Sequence, residues 1–371
     1  LLLASDQKGD LPMAIKYKWL ARHLEALIQK NIREGINKLP AEQELSEKYQ
    51  LSRQTVRMAL KILEENGLIE KRRGSGSYIT GRSPKSQENQ IGVLISNDQD
   101  YIYPGVLRDI QTTLSEGGFF TTVFSTDNLI FREREILRSL LENPLRGLIV
   151  EGCKSALPNP NLDLYRKLIK KGCEIIFLYN RYPELSDCLF VKDDNFSGSA
   201  LLVEHLASQG HIRMGGIFKF DDLQGPERCQ GFLETLRDLS LPVSDSQVCW
   251  YGSRELDQMT RWKNTCFLNE MVQESLSSCT AIVCYNDVLA YHLVGVLLQA
   301  GYRLPADMAI AAFDNTYLSN SDILTITTLS HLPHEMGTRA AQTMLRKLKG
   351  LSVHSQEVRW HLNQKESTET E

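Results

Sequence analysis

The chain has 371 residues, of which 42% are hydrophobic and 24% are charged, and its formal net charge is −4. This composition is that of an ordinary globular protein with two or three domains, and it excludes a disordered or fibrous chain. The charge is uneven, because residues 13–82 carry 14 Lys and Arg against 8 Asp and Glu while the rest of the chain is acidic. A basic head on an acidic body predicts that only the head meets a polyanion.

The first twelve residues precede Met13, which looks like a natural start, and we expect residues 1–12 to be a scar or an upstream extension. No apolar run reaches the ~18 residues needed to span a bilayer. Residues 1–4 lack the basic flank of a signal peptide. The cysteines form no C-x-x-C pair, which favours free thiols in a reducing cytoplasm over disulfides or metal ligands.

The head, residues 13–80, combines helical spacing of apolar residues with a Gly-rich basic hairpin. Ser52 is a good N-cap for its third helix, and Gly67 is a good terminator. This order is typical of a winged helix-turn-helix, whose recognition helix reads base edges with its first turn. The predicted elements are helices over 16–31, 41–49 and from Ser52 to Gly67, and strands over 68–71 and 77–80.

Residues 13–80 resemble the GntR family of winged helices in four motifs: Leu39-Pro40, Glu42-x-Glu44-Leu45, Ser52-Arg53-x-Thr55-Val56-Arg57 and Gly74-x-Gly76. The family has Ser and Arg where this chain has Ala41 and Gln43. Arg can bond guanine and Gln adenine, and wing arginines lie near phosphates or the minor groove. The predicted DNA contacts are Lys16, Tyr17, Gln43, Ser52, Arg53, Gln54, Thr55, Arg57, Arg72, Arg73, Gly74 and Gly76.

A polar linker over 81–90 precedes the body, in which strand and helix patterns alternate twice. This alternation predicts an α/β fold with two parallel-sheet lobes in tandem. We expect the body to span 91–366, with one lobe from 91–192 plus 330–349 and the other from 193–329 plus 350–366. The predicted strands are 91–96, 119–124, 147–150, 174–179, 214–218, 248–250, 281–284 and 309–313, and the predicted helices are 104–116, 132–141, 162–171, 198–208, 230–239, 264–276 and 288–300.

Polar side chains gather where the predicted strands end, which is where parallel sheets bind their ligands. Carboxylates, amides, Arg and Tyr from two lobes suit a small neutral ligand with many hydroxyl groups. Any one of these residues could instead cap a helix, because βα loops often end in Asp or Asn.

The body, from about Ile91 to His361, resembles the sugar-sensing domain of the LacI/GalR family, which has a periplasmic-binding-protein-like fold. The matching motifs are Val191-Lys-Asp-Asp194-Asn-x-x-Gly198, Arg228-x-x-Gly231-Phe232, Ile282-Val-Cys-Tyr-Asn286-Asp287 and Phe313-Asp314-Asn315. The resemblance implies sugar contacts at Arg228, Asn286 and Asp314, and at Arg181 after the fourth strand. The full set of predicted ligand contacts is Tyr101, Tyr103, Glu151, Arg181, Asp194, Lys219, Arg228, Asn286, Asp314 and His331.

A GntR-type head on a LacI-type body resembles bacterial repressors that sense L-arabinose. The resemblance implies a homodimer that binds palindromic double-stranded operator DNA and is released by the sugar. A different pentose, a hexose or a sugar phosphate remains an alternative effector. No catalytic, cofactor or metal motif appears, so an enzyme is disfavoured, and the head disfavours a secreted transport receptor.

Overall fold

The computed structural model describes residues 13–33, 35–72, 75–80, 89–97 and 101–369. The chain divides between Gln90 and Ile91 into two compact units, which we call the head and the body. Most of the predicted linker and all of residues 1–12 lie outside the described residues. Among the described helices, none combines the length and apolarity that crossing a membrane requires.

The head is a three-helix unit with a two-stranded wing. Its helices are α1 (Met13–Arg33), α2 (Glu42–Tyr49) and α3 (Arg53–Glu65), and its wing strands are β1 (Ile69–Arg72) and β2 (Gly76–Ile79). The wing strands pair antiparallel, with Ile69 opposite Ile79. Leu24, Leu45 and Leu60 are buried together in one small core, so the apolar face of each helix meets the other two. The winged-helix prediction is confirmed.

The body contains two six-stranded sheets, each with helices on both faces. The first lobe contains β3 (Gln90–Ile95), α4 (Tyr103–Glu116), β4 (Phe120–Ser125), α5 (Ile130–Glu142), β5 (Gly147–Val150), α6 (Leu162–Lys170), β6 (Glu174–Leu178) and β7 (Leu189–Asp193). The second contains α7 (Asn195–Ser208), β8 (Met214–Lys219), α8 (Gln224–Asp238), β9 (Val248–Tyr251), α9 (Ser253–Trp262), α10 (Cys266–Met271), β10 (Ala281–Cys284), α11 (Asp287–Gln299), β11 (Ala309–Phe313) and β12 (Thr327–Ser330). The chain then continues through α12 (Glu335–Leu348), β13 (Gln356–Val358) and β14 (His361–Asn363).

The strand order is β13-β7-β6-β5-β3-β4 in the first sheet and β14-β12-β11-β10-β8-β9 in the second. The central strands run parallel, and β14 is antiparallel to β12. Buried apolar clusters cover both faces of each sheet. Both faces are therefore core, which explains why the strands read as continuous apolar runs.

The structure differs from the predicted lobe boundaries at the end of the chain. Strand β13 pairs parallel with β7, so residues 356–358 belong to the first sheet, although 350–366 were predicted to belong to the second lobe. A strand of three residues is too short for its apolar pattern to predict the strand with which it pairs.

Some of the helices also differ from the prediction. Helix α8 begins at Gln224, six residues before the predicted start, because Pro226 is tolerated in a first helical turn. The predicted helix over 264–276 is a short α10 followed by a π-helical turn from Val272 to Leu276. Helices α9 and α12 were not predicted.

Candidate functional site

The N-terminal turn of α3 is built around a side-chain cap. The Oγ atom of Ser52 accepts a hydrogen bond from the Thr55 backbone amide at 3.2 Å, and the two hydroxyl groups lie 2.8 Å apart. Thr55 is only 3% exposed, so its side chain serves the cap and the core. The cap and the core thus engage the Thr55 side chain, and its contact with DNA stays a prediction.

Arginine and glutamine side chains project from the same end of α3. Arg53, Gln54 and Arg57 are exposed, as a recognition helix requires. The Nε atom of Arg57 donates to Glu42 of α2 at 2.8 Å, and this hydrogen bond raises the pKa of Arg57. Glu42 therefore holds the guanidinium group in position without burying it, a role that the sequence motif alone did not reveal.

Two further cations, one from the wing and one from the segment before α2, lie beside the Tyr78 ring of the wing. The guanidinium group of Arg72 lies 4.5 Å from the centroid of the Tyr78 ring, and the Lys38 ammonium group lies 5.4 Å from it. Gly76 has a φ of +108°, which glycine adopts without strain. The predicted contacts Arg73 and Gly74 lie outside the described residues. Exposed cations near the tip of a hairpin suit a phosphate backbone.

Three other predicted DNA contacts lie on α1 and α2. Lys16 and Tyr17 are half-buried on α1, and Tyr17 packs against the head core. Gln43 is exposed and donates to Glu47 at 3.2 Å, so its side chain is held along its own helix.

A cavity of about 1010 Å³ lies between the two lobes of the body, where the strands of both sheets end. Parallel sheets bind ligands at this edge. Of the ten predicted ligand contacts, seven line the cavity: Tyr101, Tyr103, Glu151, Lys219, Arg228, Asn286 and Asp314.

Arg228 forms the centre of the cavity's polar network. Its side chain is 2% exposed, and its Nη2 atom lies 3.7 Å from Asp193 and 3.8 Å from Asp314. It also donates to the Asn195 side chain at 2.9 Å and to the carbonyl oxygen of Tyr285. Burial opposes its charge, but the carboxylates outweigh burial and raise the pKa of Arg228. The side chain is thus a fixed cation beside a carboxylate that faces the cavity.

Lys219 is a second buried cation, at the end of β8. Its Nζ atom donates to Asp221 at 2.5 Å, to Asp222 at 2.7 Å and to the Ser253 hydroxyl at 3.0 Å. Burial lowers the pKa of Lys219, but the two carboxylates outweigh it and raise the pKa overall. Lys219 and its partners therefore form a compact charged cluster on the wall of the cavity.

Glu151 supplies a carboxylate from the first lobe. It accepts hydrogen bonds from the Ser96 backbone amide at 2.7 Å and from the Tyr103 hydroxyl at 2.8 Å. Burial raises the pKa of Glu151, against the effect of these hydrogen bonds. A carboxylate with ordered donors can accept from ligand hydroxyl groups in a fixed direction.

Hydrogen bonds also cross the cavity from lobe to lobe. The Tyr101 hydroxyl donates to Asp314. The Asn128 side chain donates to Asp222 at 3.3 Å and to Ser253 at 3.1 Å. The two lobes are therefore in direct polar contact around the cavity in this structure.

Three predicted ligand contacts lie elsewhere than on the cavity wall. Asp194 caps α7 by accepting from the Ser197 amide at 3.1 Å, and Arg181 stacks over Phe190 at 5.1 Å. His331 bonds to Asp193 and to the carbonyl oxygen of Arg359. Residues near a strand end need not face the cleft, because loop geometry decides which way each side chain points.

Further polar residues that were not predicted also line the cavity, among them Asn128, Ser253 and Gln224. Asn128 follows β4, Ser253 begins α9, and Gln224 begins α8. The Oε1 atom of Gln224 is buried and has no hydrogen-bond partner among the described residues. Gln224 and Ser253 are polar residues at the start of a helix, and this position could have predicted that they line the cavity. Among the described residues, no cluster of His, Cys, Asp and Glu is suited to a metal ion.

Two family models match the chain. Residues 16–79 match the bacterial regulatory proteins of the gntR family, and residues 203–368 match the periplasmic binding protein-like domain. The first match covers nearly the whole head, and the second covers most of the second lobe and the end of the chain.

Full-length relatives share this arrangement. An "Arabinose metabolism transcriptional repressor" of Geobacillus stearothermophilus is 36% identical over 91% of this chain and 92% of its own length. A protein of the same name from Halalkalibacterium halodurans is 31% identical over 90% of this chain and 89% of its own. Such coverage spans head and body together.

Solved structures show the same fold at lower identity. A transcriptional regulator CelR–cellobiose complex has a TM-score of 0.64 at 19% identity and covers 86% of this chain and 92% of its own. A periplasmic binding protein/LacI transcriptional regulator from Alkaliphilus metalliredigens QYMF, complexed with D-xylulofuranose, has a TM-score of 0.63 at 17% identity. It covers 76% of this chain and 100% of its own.

Proposed function

Since the chain belongs to the family of sugar-responsive transcriptional repressors that join a GntR-type head to a periplasmic-binding-protein-like body, we propose that L-arabinose is its effector. L-arabinose binds in the cleft between the lobes, and the repressor then releases its operator DNA. The names of the two full-length relatives support arabinose as the sugar.

The observation that carries this proposal is the pairing of charges in the cleft. Arg228 lies against Asp193 and Asp314, and Lys219 lies against Asp221 and Asp222. Each buried cation is thus balanced by carboxylates, so little positive charge remains for an anionic ligand. Carboxylates and ordered donors on opposite walls suit a neutral sugar, whose hydroxyl groups both donate and accept.

Contacts with both lobes give the sugar a means of changing the protein's conformation. A ligand shifts a conformational equilibrium only by binding one conformation more tightly. A sugar between Glu151 of the first lobe and Asp314 of the second binds the closed arrangement more tightly, since only closure brings both carboxylates to it. The closed state is therefore the effector-bound state of the repressor.

We infer that the repressor acts as a homodimer on a palindromic operator. A two-fold axis in the protein requires two related half-sites in the DNA. Closure of the lobes then changes the relation between the two bodies, and the two heads no longer fit both half-sites. Coupling of this kind is usually worth about 1–3 kcal/mol, or about 5- to 150-fold in affinity.

The alternative is the same design with another effector. A different pentose or a hexose would use the same hydroxyl contacts. A sugar phosphate is disfavoured by the carboxylates beside Lys219 and Arg228, although these two cations are also what would attract it.

Titration calorimetry of the full chain with L-arabinose, D-xylose, D-galactose and a sugar phosphate tests the proposal. We expect L-arabinose to bind most tightly, and we expect it, unlike the others, to release operator DNA in a gel-shift assay at equal concentration. If another sugar binds more tightly and releases the operator, that sugar and not L-arabinose is the effector. Failure of every sugar to bind would contradict the assignment of the cleft.

A further inference from the structure

Three segments of described chain cross from one lobe of the body to the other. The first joins β7 to α7, the second joins β12 to α12, and the third joins β13 to β14. Helix α7 packs on the second sheet and α12 on the first, as their buried residues show. Any opening or closing of the cleft must change the backbone at these three crossings.

One histidine side chain touches all three crossings. His331 lies on the second crossing, and its Nε2 atom is 2.8 Å from Asp193 of the first. Its Nδ1 atom is 2.9 Å from the carbonyl oxygen of Arg359, on the third. Its ring also stacks on Trp360 of the third, with centroids 3.8 Å apart and an angle of 22° between planes.

Both polar partners of His331 can only accept a hydrogen bond. A carbonyl oxygen and a carboxylate each accept a hydrogen bond, so the imidazole satisfies both only as a cation with a proton on each ring nitrogen. The side chain is 14% exposed. Burial lowers the pKa of His331, but the hydrogen bond and charge of Asp193, the Arg359 carbonyl group and the charge of Asp314 outweigh burial and raise it.

The contact between His331 and Asp193 also connects to the residues of the cleft. The other oxygen of Asp193 lies 3.7 Å from Arg228, which lies 3.8 Å from Asp314 on the cavity wall. His331, Asp193 and Arg228 therefore connect the crossings to the ligand site through two charge contacts. The charged groups that face the ring are Asp193 and Asp314, with the Arg228 cation beyond them.

The aromatic partner of His331 is itself fixed in place. A Cβ atom on Gly198 would lie only 2.5 Å from the Trp360 ring, so the indole packs directly against the backbone of α7. Phe313 meets the same indole edge-on, with centroids 5.5 Å apart. The surface on which His331 stacks therefore moves with the second lobe.

We propose that His331 is a positioning residue, which in its protonated form clasps the three crossings together and holds the two lobes closed around the effector. The clasp itself is a property of the body, and only its closure around an effector rests on the proposed function. Loss of the proton leaves one of the two acceptors facing a lone pair, and the clasp weakens.

The expected pH dependence has a definite sign. The folded-state pKa of His331 is raised, so its stabilising effect is complete below the ordinary value of about 6.5 and is lost as pH rises through the folded-state value. Hydrogen exchange of the crossings, expressed as protection factors between about pH 6 and pH 9, measures this effect without any sugar. We expect protection of peptides covering 193–198 and 356–361 to fall about tenfold over this range, since hydrogen bonds to charged groups are the strong ones.

The variant His331→Gln tests the assignment, with His354→Gln as the matched control. Gln is uncharged and has donors only on its one amide nitrogen, so it cannot bond both acceptors as the imidazolium does, and we expect its protection factors to be low and nearly independent of pH. His354 is exposed on the first lobe, and its variant should keep the wild-type profile. A pH-independent wild type, or a His331→Gln profile that matches the wild type, would overturn the clasp.

Calorimetry with L-arabinose separates the clasp from the proposed function. We expect the affinity of the wild type for L-arabinose to fall between pH 6 and pH 9 and that of His331→Gln to stay low and flat. If the wild type does not bind L-arabinose at all, the proposed effector is wrong, and the exchange experiment still decides the clasp.

Discussion

The Tyr101 hydroxyl, in the first lobe, donates a hydrogen bond to the Asp314 carboxylate, in the second. The bond spans the cleft that the sugar is proposed to occupy. Burial raises the pKa of Asp314, while the Arg228 charge and the Tyr101 hydrogen bond act against burial. Tyr101 therefore helps to keep a buried carboxylate satisfied and the lobes together.

Removing this hydroxyl should open the cleft. We expect Tyr101→Phe to shift the sugar-free body towards a more open arrangement by about tenfold, because a hydrogen bond to a charged group contributes about 1.5–3 kcal/mol. Small-angle scattering of the isolated chain, as a change in radius of gyration, measures the shift. Tyr291→Phe is the control, since Tyr291 also lines the cavity but forms no cross-lobe hydrogen bond among the described residues. Equal scattering from both variants would contradict the role of Tyr101.

Arg228 should be required for sugar binding and dispensable for DNA binding. We expect Arg228→Ala to lose effector-dependent release from the operator, because Asp314 loses the cation that orients it. The change also leaves buried carboxylates unpaired, which typically costs about 3–5 kcal/mol of stability. Arg228→Lys keeps the positive charge but lacks the planar guanidinium group. We expect this variant to fold well and to bind sugar weakly. The control is Arg237→Ala, at the exposed end of the same helix. Normal sugar-dependent release of the operator by Arg228→Lys would contradict the role of Arg228 in sugar binding.

Arg57 should be required for operator binding. We expect Arg57→Ala to weaken operator affinity about tenfold or more, which is the usual scale for a lost base contact. Affinity for sugar should not change. Lys61→Ala is the matched control, because it removes one cation from the middle of the same helix. A gel shift in which Arg57→Ala and Lys61→Ala bind equally would show that α3 does not read bases through Arg57.

Operator affinity should fall steeply with salt. Phosphate contacts release bound counterions, so a protein with about six to ten such contacts loses about 10³–10⁵ in affinity between 50 and 200 mM salt. Fluorescence anisotropy with labelled operator measures the slope of log affinity against log salt. Affinity for a neutral sugar should stay nearly constant over the same range. A flat operator titration would contradict the assignment of the basic head as the DNA-binding unit.

The buried carboxyl of Asp287 predicts a pH dependence of stability. Burial and the nearby Asp314 charge raise its pKa to about 6. A carboxyl whose folded-state pKa is raised binds more protons when folded, so its contribution to stability falls as pH rises from about 4 to 6. Thermal melts of Asp287→Asn should show a smaller decline over this range than wild type. The control Asp245→Asn, at an exposed site, should lose as much stability with rising pH as the wild type. If Asp287→Asn also loses as much stability as the wild type, other groups cause the pH dependence.

Local patterns in the sequence predicted most of the elements that the structure contains. The Ser52 cap, the apolar face of α3 and the turn at Gly67 depend on residues within a few positions of one another. The same holds for the strands of the body, whose continuous apolar runs require burial on both faces. The head, the two lobes and seven ligand-contact candidates could therefore be proposed from the sequence.

Contacts between residues far apart in the chain decided the rest. Asp194 and Asp314 both follow strands, yet one caps a helix and the other faces the cavity, because the backbone at each strand end sets the direction of the side chain. The pairing of β13 with β7 depends on a hydrogen-bonding partner about 165 residues away. His331 takes its role from Asp193 and Arg359, which only the folded chain brings to its two nitrogens.

The sequence by itself determined which residues could cap, bury or carry charge, since these are properties of short segments and side-chain chemistry. The tertiary structure alone decided which polar residues face the same cavity and which join the three crossings. The physical reason is that a hydrogen bond or ion pair depends on distance and direction in space. Residues 138 positions apart, such as His331 and Asp193, are brought together only by the folded chain.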